Sequence, residues 1–247
     1  MSKSIHIFGF HSIEGLLNTN PESILRVFIQ SGRDDIRVKN IVTTLIDQKI
    51  SFSHIDKNKL ESIAKGELHQ GVIAEVILPP LPGEDSLIAV IKKIPGNPLV
   101  LILDSIQDPR NLGACIRSGA ASNVAGVIIN KHHCSPITPL VRQVSAGGTE
   151  SIQIFTVTNL INCLKHFEKL GYLILGTSEH SDAMHTDLNL NKPILVIMGS
   201  EEDGMREKTL EKCSQVCTLS KNKTINSLNV SVATGVVLFE IARQKLA

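Results

Sequence analysis

Leu99-Val100-Leu101-Ile102-Leu103 and Ile194-Leu195-Val196-Ile197-Met198 decide the fold. Neither run contains a polar residue, as a strand covered on both faces requires; a strand with one wet face would alternate. Working outward, apolar stretches of strand length recur at 98–104, 124–130, 151–157, 172–176, 194–199 and 215–219. Helices are predicted at 112–122, 139–145, 159–170, 206–212 and 227–245. Alternating strands and helices imply an α/β fold, a mostly parallel sheet with helices on both faces.

Upstream the elements are shorter: helices around 12–17 and 38–48, and strands near 26–30, 50–54 and 71–77. This reads as a small N-terminal α/β domain. It ends at Pro79-Pro80-Leu81-Pro82-Gly83, where three prolines can continue neither a central strand nor a helix interior. The expected division is a domain over 1–78, a linker over 79–95 and a larger domain over 96–247.

Composition narrows the function by exclusion. At 247 residues, with 42% hydrophobic and 20% charged residues, the chain is long enough for two domains and too balanced to be disordered. A net charge of +1 gives no bulk attraction to polyphosphate, so nucleic-acid binding must come from local Lys and Arg clusters. With no Trp and one Tyr, base-stacking platforms are poorly supplied, and an RNA partner would be read mainly by shape, phosphates and 2′-hydroxyls.

Five scattered cysteines without a CxxC pair suggest reduced thiols. The run His132-His133-Cys134 has no second ligand pair at metal spacing, so no metal is expected. No apolar run approaches the length of a membrane span, and the N-terminus carries no export signal; the expectation is a cytoplasmic protein away from membranes.

In open α/β sheets ligands sit beyond the carboxyl ends of strands. Here the rule points after Asp104, after Gly176 and after Gly199, and three polar clusters stand out along the chain. Asp104-Ser105-Ile106-Gln107-Asp108-Pro109-Arg110-Asn111 leads into a helix carrying Arg117; it lacks the glycines of a dinucleotide-binding turn. Taken alone, Asn111 reads equally as a residue near a helix cap and Arg117 as a solvated charge. Gly199-Ser200-Glu201-Glu202-Asp203-Gly204 places acids where they offset a helix dipole, between glycines that permit close backbone approach. Asn226-Ser227-Leu228-Asn229-Val230-Ser231-Val232-Ala233 opens a helix with apolar residues on more than one stripe, which a second subunit would cover. Ser227 reads as its N-cap. Asn229 then sits polar in a buried first turn and needs a partner.

In this order the clusters resemble the signature of the SpoU (TrmH-like) family of RNA 2′-O-methyltransferases: N-x-G-x-x-x-R, G-x-E-x-x-G-M and S-L-N-V-S-V-A. The likeness spans the chain. Gly9-Phe10-His11 and His69-Gln70-Gly71 look like the start and end of the family's substrate-binding domain, and Asp104-x-x-x-Asp108-Pro109 is similar to its members acting on 23S rRNA guanosine.

The resemblance implies S-adenosylmethionine as cofactor, 23S ribosomal RNA as partner, a homodimer, and a C-terminal trefoil knot forming the cofactor pocket. It assigns Asn111, Arg117, Glu201, Ser227 and Asn229 to catalysis and Gly176, Gly199, Leu219 and Leu228 to the cofactor. The alternatives are a tRNA 2′-O-methyltransferase of the same family and a catalytically silent RNA-binding dimer.

At Leu219-Ser220-Lys221-Asn222-Lys223 the chain departs from the family's Ile-Pro-Met, and loss of the proline predicts a freer loop. Arg117 is the family's proposed base. Neutralising a guanidinium at pH 7 costs roughly 8–9 kcal/mol, so here it is read as gripping a phosphate, with the proton passing to that phosphate or to water.

Overall fold

The computed structural model describes residues 4–200, 204–222, 224 and 227–246. They form two units, Met1–Pro80 with Ile137–Ser151, and Leu81–Pro136 with Ile152–Ala247.

The first unit begins β1 (Ile5–Phe8), α1 (Phe10–Thr19), β2 (Ile24–Gln30), α2 (Ile36–Asp47), β3 (Phe52–Ile55), α3 (Lys57–Ala64) and β4 (Val72–Val76). Its sheet runs β1-β4-β2-β3, with β4 antiparallel to both neighbours and β2 parallel to β3. Aspartates start two helices: Asp35 accepts from the Val38 amide and Asp56 from the Lys59 amide, satisfying N–H groups that the first turn leaves open. Strand β1 and helix α3 were not expected. The first is four residues with His6 inside it, and the second is mostly polar, so neither carries a readable period.

The chain continues through α4 (Glu84–Ile91), β5 (Leu99–Leu103), α5 (Pro109–Ala121), β6 (Gly126–Asn130), α6 (Pro139–Ser145), α7 (Gly148–Ser151), β7 (Ile154–Val157), α8 (Leu160–Lys169), β8 (Leu173–Thr177), β9 (Ile194–Met198), α9 (Glu207–Leu210), β10 (Gln215–Cys217) and α10 (Val230–Leu246). Much of the expected linker over 79–95 is helix α4, which places Leu87 and Ile91 in the core with Phe155 and Phe167. Helices α6 and α7 belong to the first unit, where the Ser12 hydroxyl donates to the Arg142 carbonyl.

The second unit's sheet is wholly parallel in the order β10-β8-β9-β5-β6-β7. The two deciding runs are neighbours, Leu99 opposite Ile194 through Leu103 opposite Met198, and all ten residues are buried. Strands β6 and β7 extend the sheet from one side of β5, and β9, β8 and β10 from the other. That reversal at β5 opens a crevice at the strands' carboxyl ends. No described helix is long and apolar enough to cross a membrane.

Candidate active site

Helix α5 is started by Asp108, whose carboxylate accepts from the Arg110 and Asn111 amides at 2.7 and 2.9 Å, with Pro109 supplying a first turn that needs one donor fewer. This fixes Asn111 in the opening turn. Helix α10 is started by Asn229 and not by Ser227: the Asn229 side-chain oxygen accepts from the Ser231 amide at 2.9 Å, and its carbonyl from the Ala233 amide. The remaining half of the Asn229 amide donates to Asn111 Oδ1 at 3.1 Å across 118 residues of sequence. Asn229 was expected in a buried first turn; it is exposed, and it is bonded to Asn111 all the same. Further along, Thr234 Oγ1 lies 3.3 Å from Cys115 Sγ, so α5 and α10 hold the two asparagines together.

Beside this bridge a cleft of about 310 Å³ is lined by Thr177–His180 after β8, Met198–Ser200 after β9, Thr218 and Leu219 after β10, and Ser227, Leu228 and Val230. Met205 and Leu210 add apolar wall. Of the residues assigned to the cofactor, Gly199, Leu219 and Leu228 line the cleft. Gly176 does not: a side chain there would meet Met205 and Cys213, so it gives Met205 room. A Cβ at Gly199 would run into the backbone of Gly204 and Met205, which is why the turn after β9 needs glycine. Arg117 is exposed on α5. Glu201 lies outside the described residues.

Asp104 carries a role that its sequence context does not reveal. Its carboxylate is fully buried at the end of β5 and accepts from Arg206 Nη2 at 2.7 Å, Arg206 Nε at 3.2 Å, Thr209 Oγ1 at 3.1 Å and Ser105 Oγ at 3.2 Å. Arg206 follows Met205 directly and Thr209 precedes Leu210. The carboxylate therefore braces both apolar walls of the cleft. An apolar strand ending in Asp is the visible signal, but Arg206 and Thr209 lie over a hundred residues away.

The model of the SpoU rRNA methylase family matches residues 98–239, and that of the RNA 2′-O ribose methyltransferase substrate-binding domain matches residues 6–82. The chain belongs to the SpoU rRNA methylase family. It is 36% identical over 247 residues to a 23S rRNA (guanosine-2′-O-)-methyltransferase of Pseudomonas syringae pv. tomato, covering 100% of this chain and 98% of the relative. The enzyme of the same name from Haemophilus ducreyi is 38% identical over 99% of both chains. Among solved structures, the SpoU methyltransferase AviRb of Streptomyces viridochromogenes with AdoMet matches 99% of this chain and 91% of its own at a TM-score of 0.80 and 20% identity. A TrmH/SpoU tRNA-modifying enzyme of A. aeolicus matches 66% of this chain and 82% of its own, at 0.55 and 24% identity.

This SpoU chain replaces the proline ring of its divergent loop with side-chain hydrogen bonds. Thr218 Oγ1 donates to the Ser220 carbonyl at 2.9 Å, Ser220 Oγ accepts from the Asn222 amide at 3.1 Å, and Asn222 Oδ1 accepts from the Thr224 amide at 2.8 Å. Each of these bonds is local, joining residues two apart. No disulfide joins the five cysteines of this SpoU chain, and burial pushes Cys163 and Cys217 up to about 12 and Cys213 to about 11. Cys134 donates to the Leu103 carbonyl at 2.9 Å, and no cluster of three His, Cys, Asp or Glu fit for a metal occurs among the described residues.

Proposed function

We propose that this chain is a cytoplasmic enzyme that transfers the methyl group of S-adenosylmethionine to the 2′-hydroxyl of a guanosine in 23S rRNA. The observation that carries the reading is the Asn229 to Asn111 bridge beside the cleft, which joins two distant motifs at one spot. Full-length likeness to enzymes named for 23S rRNA favours that substrate over tRNA, since the tRNA-modifying structure matches only 66% of the chain.

The cleft fits the cofactor. Met198, Met205 and Leu210 offer apolar surface for an adenine, Gly199 lets backbone approach, and Glu179 contributes a carboxylate to a site that takes a cation. Gly199, Leu219 and Leu228 hold the group, with Gly176 behind Met205. S-adenosylmethionine supplies a methyl already activated on a sulfonium. The chain's own residues align the ribose and manage one proton. Asn111, Asn229 and Ser227 orient the ribose, and the role left to Glu201 is to fix Arg117 or Asn111. Arg117 grips the adjacent phosphate, and the proton leaves to that phosphate or to water, because a neutral guanidinium is too costly at pH 7.

The first unit docks RNA, and the C-terminal part of the second unit forms a trefoil knot that makes the cofactor pocket. A second copy of the chain covers the outer stripe of α10, where Val232, Val236 and Phe239 are exposed opposite the face packed on α5. Phe239→Glu is expected to yield a monomer by light scattering.

Methyl-tritiated S-adenosylmethionine offered with unmodified 23S rRNA or with tRNA tests the reading. Label is expected in 23S rRNA, on a guanosine ribose, and Asn111→Ala is expected to lower the rate roughly hundredfold with cofactor affinity unchanged. Label in tRNA alone moves the substrate to tRNA. Absence of cofactor binding makes the chain a silent RNA-binding dimer.

A further inference from the structure

A second cleft, of about 650 Å³, opens in the first unit where the loops after β1, β2 and α3 meet. Phe10 lines it, its ring buried, with Arg33 Cζ 5.2 Å and Arg37 Cζ 4.8 Å from the ring centroid. Both guanidiniums are engaged along their edges. Arg33 donates from Nε to Asp35 at 2.9 Å and from Nη1 to the Gln70 carbonyl. Arg37 donates to the two Glu14 oxygens at 3.0 and 2.9 Å, and lies 2.9 Å from His11 Nδ1.

These pairs neutralise both cations, and Glu61 and Glu67 add negative charge to the same lining, so the cleft has no net attraction for phosphate. What remains is a pair of flat, weakly hydrated guanidinium planes held in place, a surface on which a nucleobase stacks. The backbone is held in a demanding shape here. Gln70 adopts a left-handed φ of 52°, and a Cβ at the following Gly71 would run into Arg33 Nη1.

At the cleft's edge stands Glu61, whose side chain is 51% exposed, with His69 Nε2 3.4 Å from its Oε1. Buried His69 accepts the Gly71 amide at Nδ1, which makes Nε2 the proton-bearing nitrogen of the neutral ring. One contact from His69 leaves Glu61 with acceptor capacity, since a carboxylate takes about four hydrogen bonds.

We propose that this cleft binds one unstacked guanine of the RNA substrate, distinct from the nucleotide whose ribose is methylated. Guanine alone sets two donors, N1–H and the N2 amino group, side by side on its Watson–Crick edge, the match for a carboxylate. The other bases put an acceptor beside each donor there. The proposal rests on the reading of the first unit as the RNA-docking unit.

Amide shifts of the full chain, titrated with GMP, AMP or inorganic phosphate, test it. GMP is expected to move the amides of Gly66, His69, Gln70 and Gly71 at concentrations roughly fivefold below AMP, with phosphate leaving them in place. Glu61→Gln, an exposed substitution that replaces one acceptor oxygen by a donor, is expected to bring GMP to the AMP level and to raise KM for 23S rRNA without lowering kcat. Phosphate moving these amides as strongly as GMP, or a Glu61→Gln variant that keeps the preference, overturns the proposal. The titration involves no methyl transfer. An active enzyme without GMP preference therefore refutes the cleft alone, and a GMP-selective chain that transfers no methyl refutes the reaction alone.

Discussion

Each unit buries one carboxylate completely against an arginine, and the two pairs are finished differently. In the second unit, Asp104 meets Arg206 through two nitrogens and also holds the Thr209 and Ser105 hydroxyls, while the Arg206 side chain keeps 40% of its surface in water. In the first, Glu150 meets Arg142 through one nitrogen at 2.6 Å, the arginine is 10% exposed, and Glu150 Oε2 and Arg142 Nε find no partner among the described residues. Burial pushes the Glu150 carboxyl above the usual glutamate range even though Arg142 pulls it down. A buried ion pair is worth keeping only when its remaining lone pairs and protons are also met. Asp104 meets that condition and serves the cleft. Glu150 does not, and its place is set by space, because α1 passes it at Gly15, where a Cβ would lie 2.8 Å from Glu150 Cβ.

The largest effect is expected from Asp104→Ala. It strips Thr209 of its buried acceptor and frees Arg206, costing about 2–4 kcal/mol in denaturant unfolding and weakening S-adenosylmethionine binding at least about tenfold by calorimetry. Unchanged cofactor affinity in that variant would separate the brace from the cleft and break the comparison. Arg206→Lys sharpens it. A single ammonium cannot span both carboxylate oxygens as the guanidinium does, so a loss of about 1 kcal/mol and a few-fold weaker cofactor binding are expected.

Replacing the other pair together, Arg142→Met with Glu150→Leu, is expected to change stability little or to raise it by up to about 2 kcal/mol, because two half-satisfied polar groups leave the interior. A clear loss of stability would show that the pair is better satisfied than its geometry implies. The smallest effect is the pH dependence. Glu150 binds its proton more tightly folded than unfolded, so its contribution is full below the ordinary value of 4.5 and is lost as pH rises through its raised folded value. Stability of the native protein should therefore fall over that window by more than stability of the double variant, measured by urea unfolding at stepped pH.

Much of this was legible beforehand where the signal is local. Strands β5 and β9 announce themselves because burial on both faces forbids polar residues, while α5, expected from 112, begins at Pro109 with Asp108 as its cap. Helix α4 passed for linker, since three prolines precede it and its eight residues span barely two turns. For α10, the need of Asn229 for a partner was legible; the partner, and its role as the cap in place of Ser227, were not. Arg33, Arg37 and Phe10 carried no shared pattern, although they stack in one cleft.

By itself the sequence determined most of the strands and helices of the second unit, its parallel sheet, and the motif order that places the chain among the SpoU methylases. Those properties follow from side-chain periodicity and from short polar turns at strand ends, and both act within a few residues. Only the tertiary structure decided that α6 and α7 join the first unit, that Asp104 reaches Arg206 across 102 residues, and that Asn111 and Asn229 share one hydrogen bond. Such pairings depend on which elements pack side by side, and the sheet order β10-β8-β9-β5-β6-β7, fixed by the joint packing of all the strands and their covering helices, is written in no single segment of the chain.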